Sequence, residues 1–225
     1  MRYLGLSFLL VMVLIAPVHS ETIAVWNFND AASGVTGGEL EFSVDRGSGT
    51  MSSDFSPANI GNASGSSVNL EGEDPAGAAL RLVGMANNGR YLTWMTGTEG
   101  YEAIGVSFAA QRTSTGFLDN LLQYSLDSGG SWTDYGGFSP GTTFGLQNFD
   151  FSAIAGLDDN PAAGFRIRFD GATGSSGNNR IDNLVVSGTL IPPPVTSTVP
   201  EPSSLAFLGF GMAALTLWRR RESKR

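Results

Sequence analysis

Gly164-Phe165-Arg166-Ile167-Arg168-Phe169-Asp170-Gly171 decides the fold. Apolar Phe165, Ile167 and Phe169 alternate with polar Arg166, Arg168 and Asp170. Successive side chains of a β-strand point to opposite faces, so this stretch makes one apolar and one polar face, whereas a helix scatters both sets around its axis. The alternation extends outward in both directions. Residues 22–28 set Ala24, Trp26 and Phe28 on one face, and 39–44 group Leu40, Phe42 and Val44. Residues 80–83, 91–95, 105–110 and 181–190 continue it, while the Gly/Ser/Asn clusters at 61–67 and 174–179 read as loops. Roughly eight to ten short strands between turn clusters predict an all-β fold, a single β-sandwich of jelly-roll type spanning 21–190. No internal repeat disturbs that reading, which disfavours solenoids and propellers.

Residues 121–135 predict a hairpin. Leu122, Tyr124 and Leu126 alternate, Asp127-Ser128-Gly129-Gly130 turns the chain, and Trp132 follows. Ser125-x-Asp127-x-Gly129-x-Ser131-Trp132 resembles the Asp-box hairpin that sialidases carry in several copies. A single copy implies a stable turn in which Asp127 folds the backbone rather than doing chemistry.

Charge and composition exclude whole classes of function. Residues 21–198 hold 7 Arg, no Lys and 19 Asp plus Glu, so 7 − 19 gives −12 against −8 for the whole chain. A body this acidic repels phosphate backbones, which removes nucleic acid as a partner. The chain has no Cys and a single His, His19, which falls in the leader described below. Without His, Cys or Lys the body has no Ser-His-Asp relay, thiolate nucleophile, histidine-zinc site or Schiff-base lysine. Carboxylate chemistry survives, but no acid pair stands out by spacing. Asp158-Asp159-Asn160-Pro161 and Glu71-Gly72-Glu73-Asp74-Pro75 read as turns, and no catalytic residue is assigned.

The two ends are addresses. Arg2, the apolar run 4–16 and Val18-His19-Ser20 before Glu21 predict a secretory signal peptide over 1–20. A Pro/Thr linker occupies 191–198. Pro200-Glu201-Pro202 then precedes an apolar block at 205–218, and Arg219-Arg220-Arg221 follows at once. As a helix the block is about 21 Å long, short of the bilayer's apolar core of about 30 Å. It predicts a weak membrane helix with the arginines on the cytoplasmic side and the body outside. Pro-Glu-Pro, a short Gly-containing helix and a terminal arginine cluster, in that order over 199–225, resemble the PEP-CTERM sorting signal. That resemblance implies secretion by a Gram-negative bacterium and processing near Pro200-Glu201-Pro202 by an exosortase. It also implies transient anchoring in the inner membrane and release to the cell surface or extracellular matrix.

A second resemblance concerns the body. The strand 164–171, followed by Arg180-Ile181-Asp182-Asn183-Leu184-Val185-Val186-Ser187-Gly188, is similar to the closing strands of jelly-roll modules in bacterial surface proteins and carbohydrate-binding modules. The opening Trp26-Asn27-Phe28-Asn29-Asp30 fits their first strand. Such modules often share a structural calcium between the end of the first strand and the start of the last, positions held here by Asn29, Asp30, Asp182 and Asn183. Calcium suits carboxylate, amide and carbonyl oxygens on loops. A sugar-binding face needs aromatic and polar groups on one surface, and Tyr91, Trp94, Trp132, Tyr135, Arg166 and Arg168 are the candidates. The leading expectation is a secreted, surface- or matrix-targeted protein that is not an enzyme. The alternatives are a carbohydrate-binding module acting on extracellular polysaccharide and a carboxylate-dependent glycosidase or lyase.

Overall fold

The computed structural model describes residues 20–29, 35–36 and 39–194. Residues 1–19, which hold all but the last residue of the signal peptide expected over 1–20, residues 30–34 with Asp30, residues 37–38 and everything from residue 195 onward lie outside the described residues. So, therefore, do the apolar helix expected over 205–218 and the sorting motif.

Strand β13 (Gly164–Asp170) puts Phe165, Ile167 and Phe169 in the core with no exposed surface and leaves Arg166, Arg168 and Asp170 half-buried on the other side. Burying each such apolar side chain contributes about 1.5–3 kcal/mol, which is why parity in the sequence becomes direction in the fold. Two antiparallel sheets face each other across that core. The first has the order β12 (Gly145–Asp150), β9 (Tyr101–Arg112), β14 (Asn178–Leu190), β1 (Ser20–Trp26), β4 (Arg46–Gly47). Beside the first part of β14 lies β7 (Ala78–Val83), with β6 (Ile60–Ser64) beyond it. The second runs β11 (Thr133–Phe138), β10 (Asp119–Ser125), β13, β8 (Arg90–Met95), β5 (Thr50–Ser53), β3 (Glu39–Phe42), β2 (Val35–Thr36). The protein is an all-β sandwich. Trp26, Trp94, Phe108 and Phe165 fill its middle, and Phe55, Phe117 and Phe169 form a triangle of edge-to-face rings 5.6–5.7 Å apart.

Two segments expected as loops are partly strand. Ile60–Ser64 pairs with β7, and Asn178–Asn179 begins β14. Their Gly, Asn and Ser content gives no alternation, and the strong neighbour, not the local sequence, holds them extended. The predicted hairpin is present as β10 and β11, paired from Asn120↔Phe138 to Tyr124↔Thr133 with a register shift between Leu122 and Gln123.

Strand β14 changes neighbours half-way. Asn178 to Ile181 pairs with β7, and Leu184 to Thr189 pairs with β1. The change falls at Asp182-Asn183, where the register against β9 slips and Asn183 takes a left-handed φ of 49°. An asparagine tolerates that conformation better than most residues.

Candidate functional site

The outer face of the second sheet carries a row of polar side chains in direct register. It runs Glu41 (β3), Ser52 (β5), Thr93 (β8), Arg166 (β13), Gln123 (β10), Asp134 (β11). Six strands are five steps of about 4.8 Å, so the row is about 24 Å long. Arg166 is its centre. The guanidinium carbon lies 4.1 Å from the Tyr91 ring centroid and 4.3 Å from that of Trp132. Its Nε donates to Gln123 Oε1 at 2.6 Å, and Gln123 Nε2 donates to Asp134 Oδ1. The chain of bonds ends on a carboxylate, which polarises every donor along it. Burial draws the Arg166 guanidinium below its usual pKa, while Tyr91, Asp54 and Asp134 oppose the change. The cation nevertheless keeps its charge, as arginine does throughout the physiological range.

Each partner of Arg166 is fixed from below. The Tyr91 N–H donates to Asp54 Oδ1 at 2.6 Å, and its carbonyl accepts from Ser53 Oγ at 2.9 Å. Trp132 is placed by the hairpin turn. Asp127 Oδ1 accepts from Ser125 Oγ and from the Ser131 N–H, both at 2.8 Å, and Oδ2 accepts from Ser131 Oγ at 2.7 Å. These bonds, those of Ser131 first, hold the Asp127 carboxyl below its ordinary pKa. Gly129, at φ 84°, passes close over the indole, where a Cβ would stand 3.3 Å from Cζ2. Trp132 thus has Gly129 and Arg166 against it.

Of the sequence candidates, Tyr91, Trp132 and Arg166 meet in one cluster, and Arg168 is two residues further along β13, opposite Tyr91. Trp94 is not on this face. It is fully buried and stacks on Phe165 at 6.0 Å, because it has the parity of Leu92 and not that of Tyr91. Tyr135 is also turned inward. A bulge pairs Leu122 with Gly136 and Gln123 with Asp134, leaving Tyr135 as the extra residue, stacked on Phe151 at 3.9 Å with its hydroxyl donating to the Asp150 carbonyl. Glu41, Ser52, Thr93, Gln123 and Asp134 escaped the sequence reading, since only cross-strand register unites them.

The second candidate place is the neighbour change in β14. Asp182 has no exposed surface. Its Oδ2 accepts from the Ser66 N–H at 2.6 Å and its Oδ1 from the Asn183 N–H at 3.0 Å. Asn183 Nδ2 donates to the carbonyls of Ser66 and Val68, each at 2.9 Å. Asn69 Nδ2 in turn donates to the Asn183 carbonyl at 2.7 Å. Asn29 clips the adjoining segment, accepting from the Ala78 N–H at 2.7 Å and donating to the Pro75 carbonyl at 3.2 Å, and Gly65 N–H bonds Gly77 O at 3.0 Å. Asn29, Asp182 and Asn183 therefore fasten one knot from distant parts of the chain. No cation pairs with Asp182 among the described residues, and burial pushes its carboxyl up to about 7 against the bonds from Ser66 and Asn183. Oxygen-only chemistry suits a hard cation, but among the described residues the knot supplies no cluster of three acids.

Three of the acids read as turn-formers bond to distant segments of the chain. Asp158 Oδ1 accepts the Ala103 N–H at 3.0 Å, and Asp159 Oδ1 accepts the Gly100 N–H at 2.8 Å. Asp74 pairs with Arg46 at 2.6 Å.

The tail supplies the other half of the functional argument. Residues 198–221 match the PEP-CTERM protein-sorting motif. A chain bearing that motif is sorted through the membrane to the outside of the cell. No curated protein matches the chain. Among solved structures, the CBM22-1 xylan-binding domain of Paenibacillus barcinonensis Xyn10C aligns at 9% identity over 79% of this chain and 100% of its own, TM-score 0.46. A family 29 carbohydrate-binding module complexed with mannohexaose aligns at 14% identity over 76% and 93%, TM-score 0.41. A family 61 module with β-1,4-galactotriose aligns at 8% over 61% and 86%, TM-score 0.37. Likeness at this level says nothing about what the chain binds.

Proposed function

We propose that the body is a non-enzymatic glycan-binding module, laid against extracellular polysaccharide through the outer face of the second sheet. An exosortase-type protease delivers it to the surface or matrix of a Gram-negative bacterium. The observation that carries the reading is the in-register row centred on Arg166. Its end carboxylates accept, its guanidinium donates and its hydroxyls do both, the mixture that sugar hydroxyls require. Tyr91 and Trp132 add apolar edges. A track of about 24 Å suits the inside of a chain better than a single sugar. Glu41 and Asp134 stand at its opposite ends, far beyond the roughly 5–9.5 Å that paired glycosidase acids need. Asp119 and Asp170 are register partners further along the face, but Asp170 Oδ1 takes the Gly171 N–H at 2.8 Å and so closes the turn.

Binding to an array of soluble polysaccharides tests the reading. Arg166→Ala should weaken the best binder roughly thirtyfold or more, the loss of a central anchor, with the circular dichroism unchanged. Unaltered affinity, or release of reducing ends by the wild type, contradicts it.

The knot at Asp182 has a structural part in the same reading. Calcium there would use the Asp182 carboxylate with neighbouring carbonyl oxygens and would neutralise a buried charge. For the tail, changing Arg219, Arg220 and Arg221 together to Ser should lower membrane retention before processing. Mass spectrometry of the surface protein should find the tail removed, and an intact C-terminal Arg225 contradicts processing.

A further inference from the structure

Beside the row lies a cleft of about 380 Å³, lined by Arg168, Leu121, Gly137, Ser139 and Asp119 among others. It belongs to the next register line on the same face, Tyr91, Arg168, Leu121, Gly137. Arg168 stands two residues from Arg166, about 7 Å along the strand. The cleft therefore opens sideways from the row, in the strand direction, and does not prolong it.

Two features of the cleft are unexplained by folding. The Nε of Arg168 is buried without a hydrogen-bond partner, and Arg168 forms no ion pair among the described residues although Asp119 lines the same cleft. A donor stripped of water and left unpaired is a standing cost, and a ligand relieves it by drawing the half-buried Arg168 side chain round so that the guanidinium faces the cleft. The second feature is Gly137. Its φ is not left-handed, and a Cβ there would meet only the Asn120 carbonyl, at an ordinary 3.6 Å. Neither conformation nor crowding demands glycine at this position. Gly164, on the same face, shows the contrast, since a Cβ there would collide with the Met95 side chain. The missing side chain at Gly137 keeps the cleft open.

We propose that this cleft is a subsite for one sugar branching from the main chain bound along the row, so that the face selects a branched polysaccharide over an unbranched one. The inference rests on the glycan reading of the row. The volume sits at the small end of ligand clefts, which fits a single ring and not a run of them. Arg168 offers donors, Asp119 acceptors and Ser139 both, the mixture a hydroxylated ring needs, while Leu121 offers an apolar surface to its C–H face.

Titration calorimetry on backbone-matched pairs tests this: linear mannohexaose against galactosylated manno-oligosaccharide, and cellohexaose against xyloglucan oligosaccharide, together with a broad glycan array. The wild type should prefer the branched member by about tenfold, and both Arg168→Ala and the cleft-filling Gly137→Gln should bring the pair within about twofold while leaving linear binding in place. Equal affinity for both members in the wild type, or a preference that survives both variants, overturns the subsite. Arg166→Ala separates the two levels: it should weaken branched and linear members alike, and binding that ignores it overturns the row while sparing a preference that depends on Arg168. If no glycan on the array binds, row and subsite fall together.

Discussion

The two outer faces of the sandwich carry similar polar residues and treat them oppositely. On the first sheet, residues 65–69 cover β14, and the hydrogen bonds of Asp182 and Asn183 are spent on the chain itself. On the second sheet only Gln123 of the row is buried, while Glu41, Ser52, Thr93, Arg166 and Asp134 keep exposed surface, and the central cation is held between two rings with its terminal nitrogens unbonded to other described residues. A polar group that the protein satisfies internally stabilises the fold. One that is fixed in place and left open can recognise something else. Burial, not residue type, assigns the roles.

The largest effect that sharpens this contrast is Asp182→Ala. It strands the buried N–H groups of Ser66 and Asn183 and should cost about 3 kcal/mol in denaturant unfolding, while glycan affinity stays as it was. An affinity loss without a stability loss would break the comparison.

Next comes pH. The Asp182 carboxyl titrates near 7 when folded, above its ordinary 3.8. Protonation is therefore favoured by the folded state. In chelator the contribution is full below about pH 4 and is lost as pH rises through about 7, by up to about 1.4 kcal/mol per unit. Calcium that binds the knot should remove that slope and add about 2.7 kcal/mol at a hundredfold excess over its dissociation constant. Identical melting curves in calcium and chelator remove the metal from the account and leave the slope.

The smallest effect concerns Asp127→Asn. Two of its serine bonds weaken, so the hairpin tip loosens and Trp132 leaves its stacked position part of the time. The expected result is a slight fall in melting temperature with a few-fold weaker glycan binding, read against Asp182→Ala, which should do the reverse.

The contrast also explains what the sequence shows and hides. Strand parity makes β13 legible, because three large apolar residues at every second position leave one solution. The turn 127–130 is legible because its bonds are local, between Ser125, Asp127 and Ser131. Strand β6 is hidden, since Ile60-Gly61-Asn62-Ala63-Ser64 has turn-like composition and owes its shape to β7. The partial site reading has the same cause. Tyr91, Trp132 and Arg166 announce themselves as aromatic and cationic residues, whereas Ser52, Thr93 and Gln123 become a row only when five strand pairings align them. Trp94 could have been set aside by parity with Leu92 alone. Tyr135 could not, because the bulge that turns it inward has no local signature.

The central claim is that the second sheet's outer face takes a polysaccharide and the first sheet's does not. Amide chemical-shift mapping with the best-binding glycan of a broad array tests it most directly. Shifts should concentrate at Thr93, Gln123, Asp134 and Arg166 and leave Ser107, Asp182 and Asn183 unmoved. Shifts centred on the first sheet's face, or no shifts with any glycan, would contradict it.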